Sequence, residues 1–167
     1  MSLIKNKDQR IAVLVDVQNM YHSAKALYKK RVNFKEILKE AVAGRKLIRA
    51  IAYVVRTETP EEKTFFEALH KAGFEVKSKD LQIFPGGMKK GDWDVGIAID
   101  AVKLSGQMDS IVLVAGDGDF IPLIEYLKWN KGIQTEVMAF GKSTSSKLKE
   151  TADGFVDLEN NTRKFLI

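Results

Sequence analysis

A three-layer α/β/α sandwich around a mostly parallel sheet is the fold class that this sequence predicts. Three observations lead there. Short β-rich apolar runs alternate with amphipathic stretches along the whole chain, which is the order of successive βα units. Several of those runs are apolar at nearly every position, as strands covered on both faces must be. A length of 167 residues suits one domain, and right-handed crossovers then place helices on both faces of the sheet.

The elements follow in order. "IAVLVD" (11–16) reads as a buried strand. Residues from about 20 to 30 read as a helix. In "FKEILKEAVA" (34–43) Phe34, Ile37, Leu38 and Ala41 share a face, which makes a second helix. "LIRAIAYVV" (47–55) is a strand. Pro60 opens a helix that carries Phe65, Phe66, Leu69 and Ala72 at helical spacing, and Gly73 closes it. "FEVKSK" (74–79) alternates as a strand, and "LQIF" (81–84) extends it. "PGGMKKGDWD" (85–94) has the composition of a flexible loop. A helix is predicted over 94–104, a strongly apolar strand over 110–116, and a helix over 120–130 with Trp129 in the core. Then come a strand over 134–140, a short helix after the capping run "STSS", and a last strand in "FVDLEN" (155–160).

Composition narrows the function classes. The chain has 27 Lys and Arg against 22 Asp and Glu, a formal net charge of +5, which is compatible with a polyanionic partner. It has no cysteine, so disulfides and thiolate metal sites are excluded, and a reducing, cytoplasmic setting fits. No apolar run approaches the roughly 20 residues of a membrane span, and "MSLIKNKDQR" does not read as a secretory leader.

The acidic residues carry the chemistry. Asp16 ends the first strand, and Asp117 follows the strand over 110–116, with Asp119 two positions on and Gly116 and Gly118 between. In an open parallel sheet, ligands bind beyond the carboxyl ends of the strands, so acids about a hundred residues apart can share one edge. Asp94 opens a helix at the end of the basic Gly-rich loop. Singly, such residues are turn or cap residues. Jointly they repel one another unless a cation sits between them, and an all-oxygen set suits Mg²⁺ or Mn²⁺. On a helical wheel, Asp94 falls among Val95, Ala98, Ile99, Ala101 and Val102, the apolar arc. Asp100 falls at about 240° from it, beside Gly96 and Lys103. Asp94 is therefore expected to face the site, and Asp100 to pair with Lys103 or reach the site through a water.

These segments resemble a known family. "VDVQNMY" is similar to the D-x-x-N signature that opens NYN domains, a branch of the PIN-like nuclease superfamily. "KKGDWDVGIAIDAV" resembles the K-G-x-D segment of the LabA-like bacterial members, "VAGDGDFIPLIEYL" their G-D-x-D-F element, and "SSKLKETADGFVDL" their closing element. The resemblance runs from about residue 11 to 158, nearly the whole chain. It implies a PIN-like fold and a metal-dependent ribonuclease site with Mg²⁺ or Mn²⁺ as cofactor and RNA, single-stranded or looped, as partner. Asp16, Asp94, Asp117 and Asp119 match the acidic metal site, Asn19 the family asparagine and Asp100 a second acid. Asn19 is expected to orient Asp16 or a water, or to cap a helix. Ser145 and Ser146 match the closing element, as phosphate contacts or caps.

Lys89, Lys90 and Trp93 are further candidates for substrate binding, the lysines through phosphate and the indole by stacking on a base or packing on the sheet. Lys29, Lys30 and Arg31 form a second basic run. His22, one turn after Asn19, reads as structural rather than as a substrate contact. Two other functions compete with an endoribonuclease. One is an aspartyl-nucleophile phosphatase, but its second aspartate would stand where the chain has Gln18. The other is a non-catalytic RNA-binding or regulatory module.

Overall fold

"IAVLV" is apolar throughout because both faces of its strand are buried, and the structure shows how. In the computed structural model, which describes residues 3–87 and 89–167, β1 (Arg10–Asp16) lies in the middle of the sheet. Ile11, Val13 and Val15 point to one core, and Ala12 and Leu14 to the other. α1 (Val17–Tyr28), α2 (Phe34–Val42), β2 (Lys46–Arg56), α3 (Glu62–Ala72) and β3 (Glu75–Asp80) follow. β2 and β3 add in parallel on one side of β1. The chain then makes a two-stranded antiparallel hairpin, β4 (Gln82–Ile83) and β5 (Lys89–Lys90), before α4 (Asp94–Ser105). β6 (Ser110–Val114) pairs with the other side of β1, and β7 (Gln134–Ala139) and β8 (Gly154–Asp157) extend the sheet. α5 (Ile121–Trp129) and α6 (Ser146–Thr151) come between them, and α7 (Thr162–Phe165) ends the chain.

All six strands of the main sheet are parallel, in the order β3-β2-β1-β6-β7-β8. α1, α2, α3 and α7 bury Met20, Ile37, Leu69 and Phe165 against one face. α4, α5 and α6 bury Ile97, Ile124 and Leu148 against the other. This is the predicted three-layer sandwich. The strand order reverses between β1 and β6, so the crevice at their carboxyl ends is the topological switch point, where such sheets bind ligands.

Four local expectations are corrected. α1 starts at Val17 rather than near residue 20, because Asp16 Oδ1 accepts the Asn19 N–H (3.1 Å) and caps the helix at once. The segment read as one loop over 85–94 contains β5, which pairs with β4, itself separate from β3. Trp129 is 69% exposed. α5 buries Leu123, Ile124 and Leu127, and two residues past Leu127 the helix has turned about 200° to solvent. On α4 the buried line is Ile97, Ala101 and Ser105, while Val95 and Ile99 are exposed. That helix is apolar on most sides, so the wheel alone did not select its buried arc. Among the described residues, no helix is long and apolar enough to cross a membrane.

At the amino half of the sheet, the fold buries an ion pair. Arg45 donates two hydrogen bonds to Glu136 (2.7 and 3.1 Å) and further ones to the Ala41 and Val42 carbonyls. Glu136 also accepts from Ser110 Oγ (2.5 Å). Both side chains are almost wholly out of water, so removal of one strands the other. Glu136→Ala is expected to cost about 3–5 kcal/mol in urea unfolding. Asp8→Ala, which breaks the exposed Lys46–Asp8 pair, is expected to leave the midpoint in place.

Candidate metal centre at the switch point

Three chain segments reach the crevice, and each brings its acid by a different local device. Asp16 is the last residue of β1 and the N-cap of α1, and it is 7% exposed. Past β6 the chain enters a short 3-10 turn, Gly118–Phe120, which Asp117 caps by accepting the Asp119 N–H (2.9 Å). The Asp119 carboxylate caps neither this turn nor α5. Asp94 is the first residue of α4, and Asp92 accepts its N–H (3.2 Å) from the preceding loop. One carboxylate oxygen each from Asp94, Asp117 and Asp119 lies within 4.8 Å of the other two. Asp16 stands beside this cluster rather than in it, close enough for its charge to act on Asp94.

The glycines of "AGDGD" serve close packing. A Cβ on Gly116 would sit 2.8 Å from Thr144 Oγ1 and 3.0 Å from the Ser143 carbonyl, and one on Gly118 would sit 3.2 Å from Ser145. Ser145 caps α6 through the Leu148 N–H (3.3 Å) and donates its own N–H to the Gly116 carbonyl (3.1 Å). It therefore braces the acidic turn from behind, and Ser146 lies exposed in the first turn of α6. Asn19 acts across the crevice. Its Oδ1 accepts the Gly116 N–H (3.0 Å), tying α1 to the loop that carries Asp117. Spacing within "DVQN" holds no signal for that partner, 97 residues away in sequence. Asp92 adds its charge to both Asp16 and Asp94.

Asp100 lies outside the cluster. It faces β2 and β3, where its Oδ2 accepts from the hydroxyl of buried Tyr53 (2.8 Å) and from Lys77 Nζ (2.7 Å). Burial opposes its ionisation, but these donors outweigh burial and hold the carboxyl below its ordinary range. Lys77, rather than the expected Lys103, is its ion-pair partner. Trp93 packs its ring on Tyr53 (centroids 5.3 Å apart) and donates Nε1–H to the Val54 carbonyl (2.9 Å), with Lys79 Nζ 4.7 Å from the ring centroid. Gly96 makes room for that ring, since a Cβ there would stand 2.6 Å from it. Trp93 and Asp100 thus fasten the first turns of α4, and with them Asp94, to β2. The side chains of Lys89 and Lys90 lie outside the described residues, and with them the expected phosphate contacts.

Among the described residues, no lysine or arginine forms an ion pair with Asp16, Asp92, Asp94, Asp117 or Asp119. The result shows in their protonation. Burial first, then the charges of Asp117 and Asp92, push Asp16 up to about 6, against the Asn19 N–H and His22. Burial first, then Asp117, Asp16, Asp92 and Asp119, push Asp94 up to about 6. Uncompensated oxygen donors converging at a sheet edge can hold a hard divalent cation, so the residues present fit the group expected from the sequence. In the metal-free protein, both carboxyls bind protons more tightly folded than unfolded, where the ordinary value is 3.8. Their contribution to stability is therefore complete below 3.8 and is lost as pH rises through about 6. In EDTA, the melting temperature of an Asp16→Asn/Asp94→Asn variant should gain on the wild type between pH 4 and 7. Parallel profiles would show that the two acids do not feel this environment.

Comparison with known proteins agrees with this geometry. The profile of the NYN domain family matches residues 10–159. The chain is 28% identical over 175 residues to the low amplitude and bright protein LabA of Synechococcus elongatus, covering 96% of this chain and 89% of that one. It is also similar to the crystal structure of a protein of unknown function from Vibrio parahaemolyticus. The TM-score is 0.89 and the identity 32%, over 99% of this chain and 100% of that one. The match takes in the strand that ends at Asp16, the α4 start at Asp94 and the turn with Asp117 and Asp119, and the chain belongs to the NYN domain family.

Proposed function

We propose that the protein is a metal-dependent endoribonuclease that hydrolyses RNA phosphodiesters at the β1–β6 crevice, with Mg²⁺ or Mn²⁺ as its ion. The observation that carries this reading is the set of acids gathered at the switch point with no lysine or arginine paired to them among the described residues. Membership of a family in the PIN-like nuclease superfamily supports it.

Asp94, Asp117 and Asp119 would hold the ion, and Asp16 would complete or orient the set. A bound divalent ion supplies charge to a phosphodiester oxygen and makes water a better nucleophile. The protein does the rest by position. Asp16 gives one oxygen to the Asn19 N–H, and its other oxygen has no hydrogen-bond partner among the described residues. Asn19 keeps the Gly116 backbone, and thus Asp117, at a fixed distance from Asp16. Tyr53 and Trp93 keep the start of α4 on β2.

The test is cleavage of a labelled RNA oligonucleotide with Mn²⁺ and with EDTA. Asp94→Asn is expected to abolish the metal-dependent activity. Asp100→Asn should leave a measurable fraction, with a stability loss of about 1–3 kcal/mol from the weakened Tyr53–Lys77 contacts. If Asp100→Asn is inactive and Asp94→Asn active, the assignment of the site on α4 is wrong. Metal should also raise the melting temperature, with stabilisation reaching about 2.7 kcal/mol at a hundredfold excess over Kd, and Asp117→Asn should blunt the shift. Binding of RNA without turnover would mark a non-catalytic module, and release of phosphate from a phosphomonoester would mark a phosphatase.

A further inference from the structure

The two flanks of the crevice differ in charge. On the β2–β3 side three described cations have an acid beside them: Arg49 is bonded to Glu75, Arg56 to Asp80 and Lys77 to Asp100. Lys79 lies over Trp93. Those three charges are neutralised by residues of the same flank. Along α1 and the segment after it, no Asp or Glu occurs from residue 17 to 35, while Lys25, Lys29, Lys30, Arg31 and Lys35 all do, and the acids near its far end, Glu159 and Asp157, lie at Tyr28.

This acid-free stretch begins with α1, where half-buried Gln18 and exposed Tyr21, His22 and Lys25 line up. Gln18, Tyr21, His22 and Lys25 stand at i, i+3, i+4 and i+7, one face of a helix. They touch in sequence. Gln18 Nε2 lies 3.4 Å from His22 Nε2, and His22 meets Tyr21 edge-on with ring centroids 5.5 Å apart. Lys25 Nζ donates to the Tyr21 hydroxyl (3.3 Å) and lies 5.6 Å from its ring centroid. Tyr21 is 44% exposed, a large apolar ring outside either core. The row starts at the cap residue Asp16, whose carboxyl feels the His22 charge. It ends about 18 Å away at exposed Lys29, Lys30 and Arg31.

We infer that this face of α1 is the track along which a single-stranded nucleic acid leaves the acidic centre, with Tyr21 stacking on a base and Lys25 and the 29–31 run meeting phosphates. The inference rests on the nuclease reading above and adds the path that the substrate takes. An exposed aromatic ring beside cations takes unpaired bases, whose faces are free, and does so with little regard to sequence. A duplex keeps its bases stacked on one another and offers the ring nothing comparable.

The test is fluorescence anisotropy of a labelled single-stranded RNA with the full chain in EDTA, beside the Mn²⁺ cleavage assay. Tyr21→Ala is expected to weaken binding about tenfold, and Tyr21→Phe to keep it, since stacking needs the ring and not the hydroxyl. Lys25→Gln should lower the slope of log affinity against log salt by about 0.7. A blunt duplex of the same sequence should bind more weakly and ignore Tyr21→Ala. The Mn²⁺ shift in melting temperature should be the same in all three variants, which shows an intact fold and centre. Tyr21→Ala and Lys25→Gln that bind like a cleaving wild type overturn the track and leave the nuclease reading standing, as does a Tyr21→Phe as weak as Tyr21→Ala. A wild type that takes Mn²⁺ but neither binds nor cleaves RNA overturns both.

Discussion

One hydrogen bond spans the crevice on which everything else converges, from the Gly116 N–H to Asn19 Oδ1 at 3.0 Å. A single such bond contributes only about 0.5–1.5 kcal/mol net. Its importance lies in what it joins. α1 begins at the end of β1, and the acidic turn begins at the end of β6, so the bond crosses the point where the strand order reverses. Gly116 cannot carry a side chain there, because Thr144 and the Ser143 carbonyl already fill the space. Ser145 then holds the Gly116 carbonyl from behind. The backbone that presents Asp117 and Asp119 is thus gripped from both sides, by groups that titrate nowhere near neutral pH.

That grip is needed because the acids themselves push the site apart. Asp16 and Asp94 are held near 6 by burial and by their neighbours' charge, which means that their ionised forms oppose the fold. The opposite half of the sheet shows the other solution to buried charge. There, Arg45 and Glu136 satisfy one another and recruit Ser110 and two backbone carbonyls. One end of the molecule closes its charges internally, and the other leaves them open to an outside cation. The contrast separates a structural ion pair from a candidate site more clearly than burial alone does.

The sheet was legible in the sequence because both periodicities are plain. Every main strand and all helices but α7 are visible as apolar runs or faces, and their edges move by only a few residues where caps decide them, as Asp16 does for α1. The acids were legible as acids following strands or opening helices. Their partners were not. Nothing in "DVQN" points to Gly116, and nothing in "DVGIAIDAV" tells that Tyr53 and Lys77, from two neighbouring strands, claim Asp100. The register of α4 was obscured by its own composition. Ile99 and Val95 are as apolar as Ile97, and only the sheet decides which of them is buried. Trp129 shows the same limit, since a residue's hydrophobicity ranks it for burial but the helix face assigns it.

Charge is also sorted along the chain in a way that total composition hides. A net charge of +5 on 167 residues is modest. Yet five aspartates meet at one sheet edge, and the nineteen positions from 17 to 35, which begin beside them, hold no acid at all. Without a cation, such a cluster repels a polyanion at the very place where the proposed chemistry needs it. The neighbouring positive flank attracts it at a distance of one helix length. On the proposed reading, the two effects make ion binding and strand binding favour each other. A bound ion removes the repulsion that the strand would meet, and a phosphate at the site adds an oxygen for the ion. Screening acts mainly on the exposed flank, so added salt should weaken the hold on the strand well before it weakens the hold on the ion.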